Sequence, residues 1–129
     1  GEGPAPGEDL LDWHRRRKTR ARYRGRLVLG LERRRLDDIR AAWDEMAADA
    51  AAGMGLPPGV EEYNLMLTAL VAAGRLNSAL RLLVDMMRAE VVADRTTYNI
   101  MLRAAAESGR LDKAEAVYDI MRQTLPEGE

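Results

Sequence analysis

The chain contains no cysteine, no phenylalanine, a single histidine and only two serines. Without cysteine there can be neither a disulfide framework nor a thiolate metal site, so the core must be held by packing alone. His14, Ser78 and Ser108 are too few and too scattered to supply a nucleophile with its base, or the several donors a metal needs. The sequence therefore predicts no catalytic residue, no metal, no cofactor and no small-molecule substrate. Long apolar runs are missing too. Stretches such as Leu65 to Ala73 stop well short of the roughly 20 residues a spanning helix requires, so no membrane span is expected.

What is present points to helices. Hydrophobic residues make up 47% of 129 positions, and that weight falls on Leu, Ala, Val and Met, while aromatic residues make up only 5%. The length suits one domain with a modest core. Charge is unevenly placed along the chain. Residues 15 to 40 carry twelve Arg or Lys against three acids, about +9, whereas residues 41 to 129 carry eight against fourteen and residues 1 to 14 contribute four acids and no Arg or Lys.

Self-comparison exposes a repeat. A shift of 35 aligns Val60 to Arg88 with Arg95 to Gln123 and gives ten identities in twenty-nine positions, where roughly two or three are expected by chance. Tyr63, Met66, Leu67 and Leu70 follow the i, i+3, i+4, i+7 pattern, as do Tyr98, Met101, Leu102 and Ala105, so each set lines one face of a helix. Gly74 and Gly109 then stand where a left-handed residue would close that helix. The second helix starts at Leu76 or Leu111. Its inward face is expected to be Leu76, Ala79, Leu80, Leu83 and Met86 in one copy, and Leu111, Ala114, Val117, Tyr118 and Met121 in the next. A degenerate third copy appears upstream at a shift of 40, matching Tyr23 to Tyr63, Leu27 to Leu67, Arg35-Leu36 to Arg75-Leu76 and Met46 to Met86. It has Arg34 at the turn-glycine position and ends in the loop-forming GMGLPPG stretch. Trp43 and the methionines at helical spacing are read as core.

The predicted architecture is an all-α solenoid of antiparallel helix-turn-helix hairpins. A flexible, basic N-terminal arm occupies 1–19, a degenerate hairpin with a loop insertion 20–59, and two repeats 60–94 and 95–129, the last with the C-terminal tail. Helices are predicted at 10–33, with a break near Gly25, and at 36–51, 60–73, 76–90, 95–108 and 111–124. A stack this short leaves its terminal apolar faces uncapped, and repeat arrays need caps or partners for solubility.

Tyr-Asn followed by an apolar pair, then Gly-Arg-Leu, an Ala three residues on and a Met near the end of the second helix resemble the pentatricopeptide repeat, whose period is also 35. The likeness covers residues 60 to 129 well and 20 to 59 weakly. It implies an organellar protein, mitochondrial or chloroplast, whose repeats each read one nucleotide. The reading positions of that family correspond to Asn64 with Asp94, a uracil-type pairing, and to Asn99 with Glu129. Other family features are missing. Glu61 and Thr96 stand where an aliphatic residue would sandwich the base, and Ala72, Glu107 and, in the degenerate copy, Glu32 stand where a Lys would face the phosphates. A carboxylate there repels RNA.

The strongest nucleic-acid signal lies elsewhere. After Trp13, eight of thirteen residues are basic: Arg15, Arg16, Arg17, Lys18, Arg20, Arg22, Arg24 and Arg26, with Trp13 and Tyr23 among them. Arg forks onto phosphate and stacks on bases, which suits RNA. The plainer alternatives are a solvated helix face, the remains of a targeting region or a contact with an anionic membrane surface. A start at Gly without Met suggests a trimmed N-terminus. The expected role is a non-catalytic subunit of an organellar ribonucleoprotein such as a ribosome, with RNA, by expectation ribosomal, and protein subunits as partners. A protein scaffold without RNA binding is the alternative.

Overall fold

The computed structural model describes residues 3 to 124 and, among them, six helices and no strand: α1 Leu10–Glu32, α2 Leu36–Ala51, α3 Val60–Ala72, α4 Leu76–Arg88, α5 Arg95–Glu107 and α6 Leu111–Thr124. All six start where the apolar periodicity places them and end within two residues of the expected position. The chain forms two compact units, Gly1–Pro58 and Gly59–Glu129.

In the first unit α1 pairs with α2. Asp9 caps α1 by accepting a hydrogen bond from the Leu11 backbone N–H at 3.0 Å, which satisfies one of the orphan donors of the first turn. The helix then runs unbroken through Gly25 to Glu32, so no break occurs there. An exposed glycine costs a helix only about 1 kcal/mol relative to Ala. That penalty is spread over a 23-residue helix whose Trp13 and Leu27 are buried. The first nineteen residues are therefore not a flexible arm throughout: the arginines from 15 onward stand on a regular helix. Gly30 faces Ile39 so closely that a Cβ there would lie 2.5 Å from Ile39 Cγ1, which is why the helices of this hairpin can approach at that point.

The second unit is a pair of stacked hairpins: α3 packs on α4 and α5, α5 packs on α6, and α4 makes lesser contacts with α5 and α6. Its core is Tyr63, Met66, Leu67 and Leu70 of α3, Ala79, Leu83 and Met86 of α4, Tyr98, Met101 and Ala105 of α5 and Val117 of α6. The expected inward face of α6 is only partly correct. Leu111 is 74% exposed and Tyr118 51% exposed, although their counterparts in α4 are half-buried Leu76 and fully buried Leu83. A helix in this stack buries one face on its own hairpin and a second on the following hairpin, and among the described residues nothing covers that second face of α6.

All three hairpins turn in the same way. Gly74 (φ 75) donates to Val71 O while Arg75 donates to Leu70 O; Gly109 (φ 69) and Arg110 make the same pair with Ala106 O and Ala105 O. In the degenerate copy Arg34 adopts φ 55, donates to Leu31 O, and Arg35 donates to Gly30 O. This is the paired closure of a Schellman turn, and it recurs even with a side chain in the left-handed position. The hydrogen-bond pattern outlasts the glycine that usually permits it.

Candidate functional site

Two sets of residues are candidates, one on each unit. The first is the Asn64–Asp94 pair. Asp94 is the N-cap of α5, with extended backbone, and its Oδ1 accepts from Thr97 N at 3.0 Å while Thr97 Oγ1 lies 3.1 Å from the Asp94 N–H that it accepts. This is a reciprocal box that ties off two donors of the first turn. The Asn64 amide, thirty residues earlier in sequence, completes the cluster: Nδ2 donates to Asp94 Oδ1 at 3.2 Å and Oδ1 accepts from Thr97 Oγ1 at 2.7 Å. Burial pushes the Asp94 carboxyl up, but the Thr97 N–H, the Asn64 amide and the Thr97 hydroxyl outweigh it, and the group sits below its ordinary range. The sequence brought Asn64 and Asp94 together as a pair; Thr97 was missed, although an acid three residues before a hydroxyl at a helix start is a recognisable capping signal.

Asn64 and Asp94 therefore meet, but each already spends polar atoms on the other and on Thr97. Asn99 is exposed on α5, and its partner position, Glu129, lies outside the described residues. Glu61, Thr96, Ala72 and Glu107 are all exposed; Glu107 approaches Arg103 at 4.0 Å. No cation stands at those positions.

The second candidate is the basic segment, and the helix sorts it into faces. Arg20 is turned inward, only 5% exposed, with Nη1 donating to Pro57 O at 2.9 Å. It clamps the loop after α2 and is removed from any external surface. Arg16, half-buried, pairs with Glu8 and with Asp12 at 3.3 Å. Arg17 lies over the Trp13 ring, 5.4 Å from its centre; Arg24 is half-buried. Arg15, Lys18, Arg22 and Arg26 are all exposed and recur at intervals of three, four and four, so they share one face of α1. Arg15 has Asp12 at 3.7 Å, and Arg26 donates to Glu45 at 2.6 Å, which draws that carboxyl below its usual range. Arg33, the C-cap of α1, continues the line.

The two aromatic residues of the segment point elsewhere. Trp13 is buried. Tyr23 is half-buried and donates to Asp49 Oδ2 at 2.5 Å, a bond that raises its pKa, with burial adding to the effect. Arg26 covers the Tyr23 ring at 5.4 Å. His14 is exposed and packs edge-on against Trp13.

Among the described residues no group of three His, Asp or Glu is placed to hold a metal, and no helix is long and apolar enough to cross a membrane. The model of the PPR repeat family matches residues 58–107, and that of the PPR repeat matches residues 96–123, together just over half of the chain. No curated protein matches it.

Proposed function

Because the chain belongs to the PPR repeat family, we propose that it is a non-catalytic helical-repeat subunit of an organellar ribonucleoprotein, a mitochondrial or chloroplast ribosome being the leading case, with RNA held mainly by α1. Members of this family are generally RNA-binding adaptors without catalysis. The observation that carries the reading is the contrast between the two candidates. On α1, Arg15, Lys18, Arg22 and Arg26 form an exposed cationic face; on the repeats, Asn64 and Asp94 are bound to each other and to Thr97, with carboxylates or neutral residues where phosphate contacts are expected.

Magnitudes favour α1 as well. One complete reading pair plus Asn99 amounts to two stacked bases, worth about 1 to 3 kcal/mol each. That total lies near or below millimolar affinity once association is subtracted. Four or five phosphate contacts gain from counterion release whatever the sequence.

The test is RNA crosslinking in the native particle. Replacing Arg15, Lys18, Arg22 and Arg26 with Ala should reduce the crosslink at least tenfold, while Asn64→Ala leaves it nearly unchanged. A crosslink that survives the four-residue change but vanishes with Asn64→Ala would move the function to base reading by the repeats. A second reading, a protein scaffold, draws on exposed Leu111 and Tyr118 of α6; it predicts no RNA crosslink and co-sedimentation with a particle that resists RNase.

A further inference from the structure

The exposed face of α1 has a geometry that constrains the form of RNA it can hold. Arg15, Lys18, Arg22, Arg26 and Arg33 stand in one line on a continuous helix and its cap. At 1.5 Å per residue the line is about 27 Å long, with successive cations about 4.5 to 6 Å apart up to Arg26. It is rigid because α1 is anchored at both ends: Trp13 is buried near its start, and Leu27 and Gly30 pack on α2. The side chains of Lys18 and Arg22, in its middle, are exposed and make no ion pair or hydrogen bond with another described residue. Arg15 and Arg26 keep acidic neighbours, Asp12 and Glu45. Near Arg33 the cleft lined by Arg26, Leu29, Gly30, Arg33, Asp38 and Ala41 brings in one more carboxylate, Asp38, which Arg35 engages at 3.2 Å.

The line also lacks what single-stranded RNA requires. Unpaired bases are held by stacking on a succession of open aromatic faces. Trp13 is buried beneath Arg17, and Tyr23 is bonded to Asp49 and covered by Arg26. His14, at the N-terminal edge of the line, is a single ring packed on Trp13. A straight array of cations without a stacking platform matches a ligand whose bases are already stacked inside and whose phosphates are presented at fixed spacing. Resting on the RNA role proposed above, we infer that this face of α1 binds the phosphate backbone of double-helical RNA, independently of sequence.

The experiment compares the full chain binding an RNA hairpin with an uninterrupted stem and an oligouridine of equal phosphate number. The hairpin should bind at least tenfold more tightly. With about four phosphates neutralised, its affinity should fall roughly 100-fold between about 50 and about 200 mM salt. Arg22→Ala should make the logarithmic salt slope shallower by about one, and Lys18→Ala likewise, while Arg22→Lys restores it. Both positions are exposed and helical, where Ala is tolerated, and helical circular dichroism verifies the fold. Arg17→Ala, off the line, should leave the slope unchanged. Oligouridine bound as well as the hairpin overturns the duplex inference while preserving the RNA role. Binding of neither RNA defeats the RNA role itself, and equal loss from Arg17→Ala and Arg22→Ala overturns the assignment to this face.

Discussion

The hairpin of α1 and α2 and the double hairpin of α3 to α6 reach the same local geometry from different chemistry. Upstream, a left-handed arginine makes the turn, an arginine fills a buried position, and polar pairs join the helices: Tyr23 to Asp49, Arg26 to Glu45 and Arg20 to Pro57 O. Downstream, glycines make the turn within each hairpin while a left-handed Glu90 (φ 60) closes α4, and the interior is mainly Leu, Met, Ala and Tyr, with Glu62 and Thr97 buried at the starts of α3 and α5. Residues 1–58 carry twelve Arg or Lys against ten acids, and residues 59–129 carry eight against eleven. Hairpin formation needs only the apolar stripes and the left-handed turn, so what remains of the sequence is free to diverge. In this protein it diverged in charge.

The comparison is tested most severely at Leu27 and Leu67, which align between the degenerate and the clear copies and are both fully buried. Leu→Ala at either position should cost about 2 to 5 kcal/mol, read from urea unfolding. If Leu27→Ala lost under about 1 kcal/mol, the upstream hairpin would share the repeat's turn but not its packing.

A smaller effect is expected at the helix starts. Asp94→Ala removes both the cap of α5 and the anchor of Asn64, and should destabilise by about 0.5 to 2 kcal/mol. Because the folded Asp94 carboxyl titrates below its ordinary value, its stabilisation is complete above the usual carboxylate range, near about pH 4. It disappears as pH falls through the folded value. The difference between wild type and Asp94→Ala should therefore close in acid. A gap that persisted undiminished would show that the charge on Asp94 contributes nothing.

The turns should show the smallest change, and in opposite directions. Arg34→Gly relieves a left-handed side chain, a strain of about 1 to 2 kcal/mol. The added freedom of glycine in the unfolded chain offsets part of that gain, so the net increase is under about 1 kcal/mol. Gly74→Arg should lose a comparable amount. Thermal melts of the two variants, run together, measure the difference; a destabilising Arg34→Gly would mean that the Arg34 side chain makes a contact worth more than its strain.

Helix positions were legible because they follow from the period of apolar residues and from Asp9, Gly74 and Gly109 at helix ends, all local properties. The candidate sites were less so. A run of eight basic residues looks uniform in sequence, yet helical winding places Arg15, Lys18, Arg22 and Arg26 outward, Arg20 against Pro57 O and Arg16 against Glu8 and Asp12. Trp13 and Tyr23 lie with the basic residues in sequence, yet packing buries Trp13 and ties Tyr23 to Asp49. Likewise, the family pattern pairs Asn64 with Asp94 by position, but only the approach of α3 to α5 brings Thr97 between them as a third polar partner.

The sequence by itself determined the repeat, its period, six helices and the concentration of positive charge near the N-terminus, since each depends on spacing along the chain. Tertiary structure decided which cations face outward and which polar groups are already spent on one another. Those outcomes depend on contacts between residues far apart in sequence, such as Arg20 with Pro57 and Asn64 with Asp94, and local pattern carries no record of them.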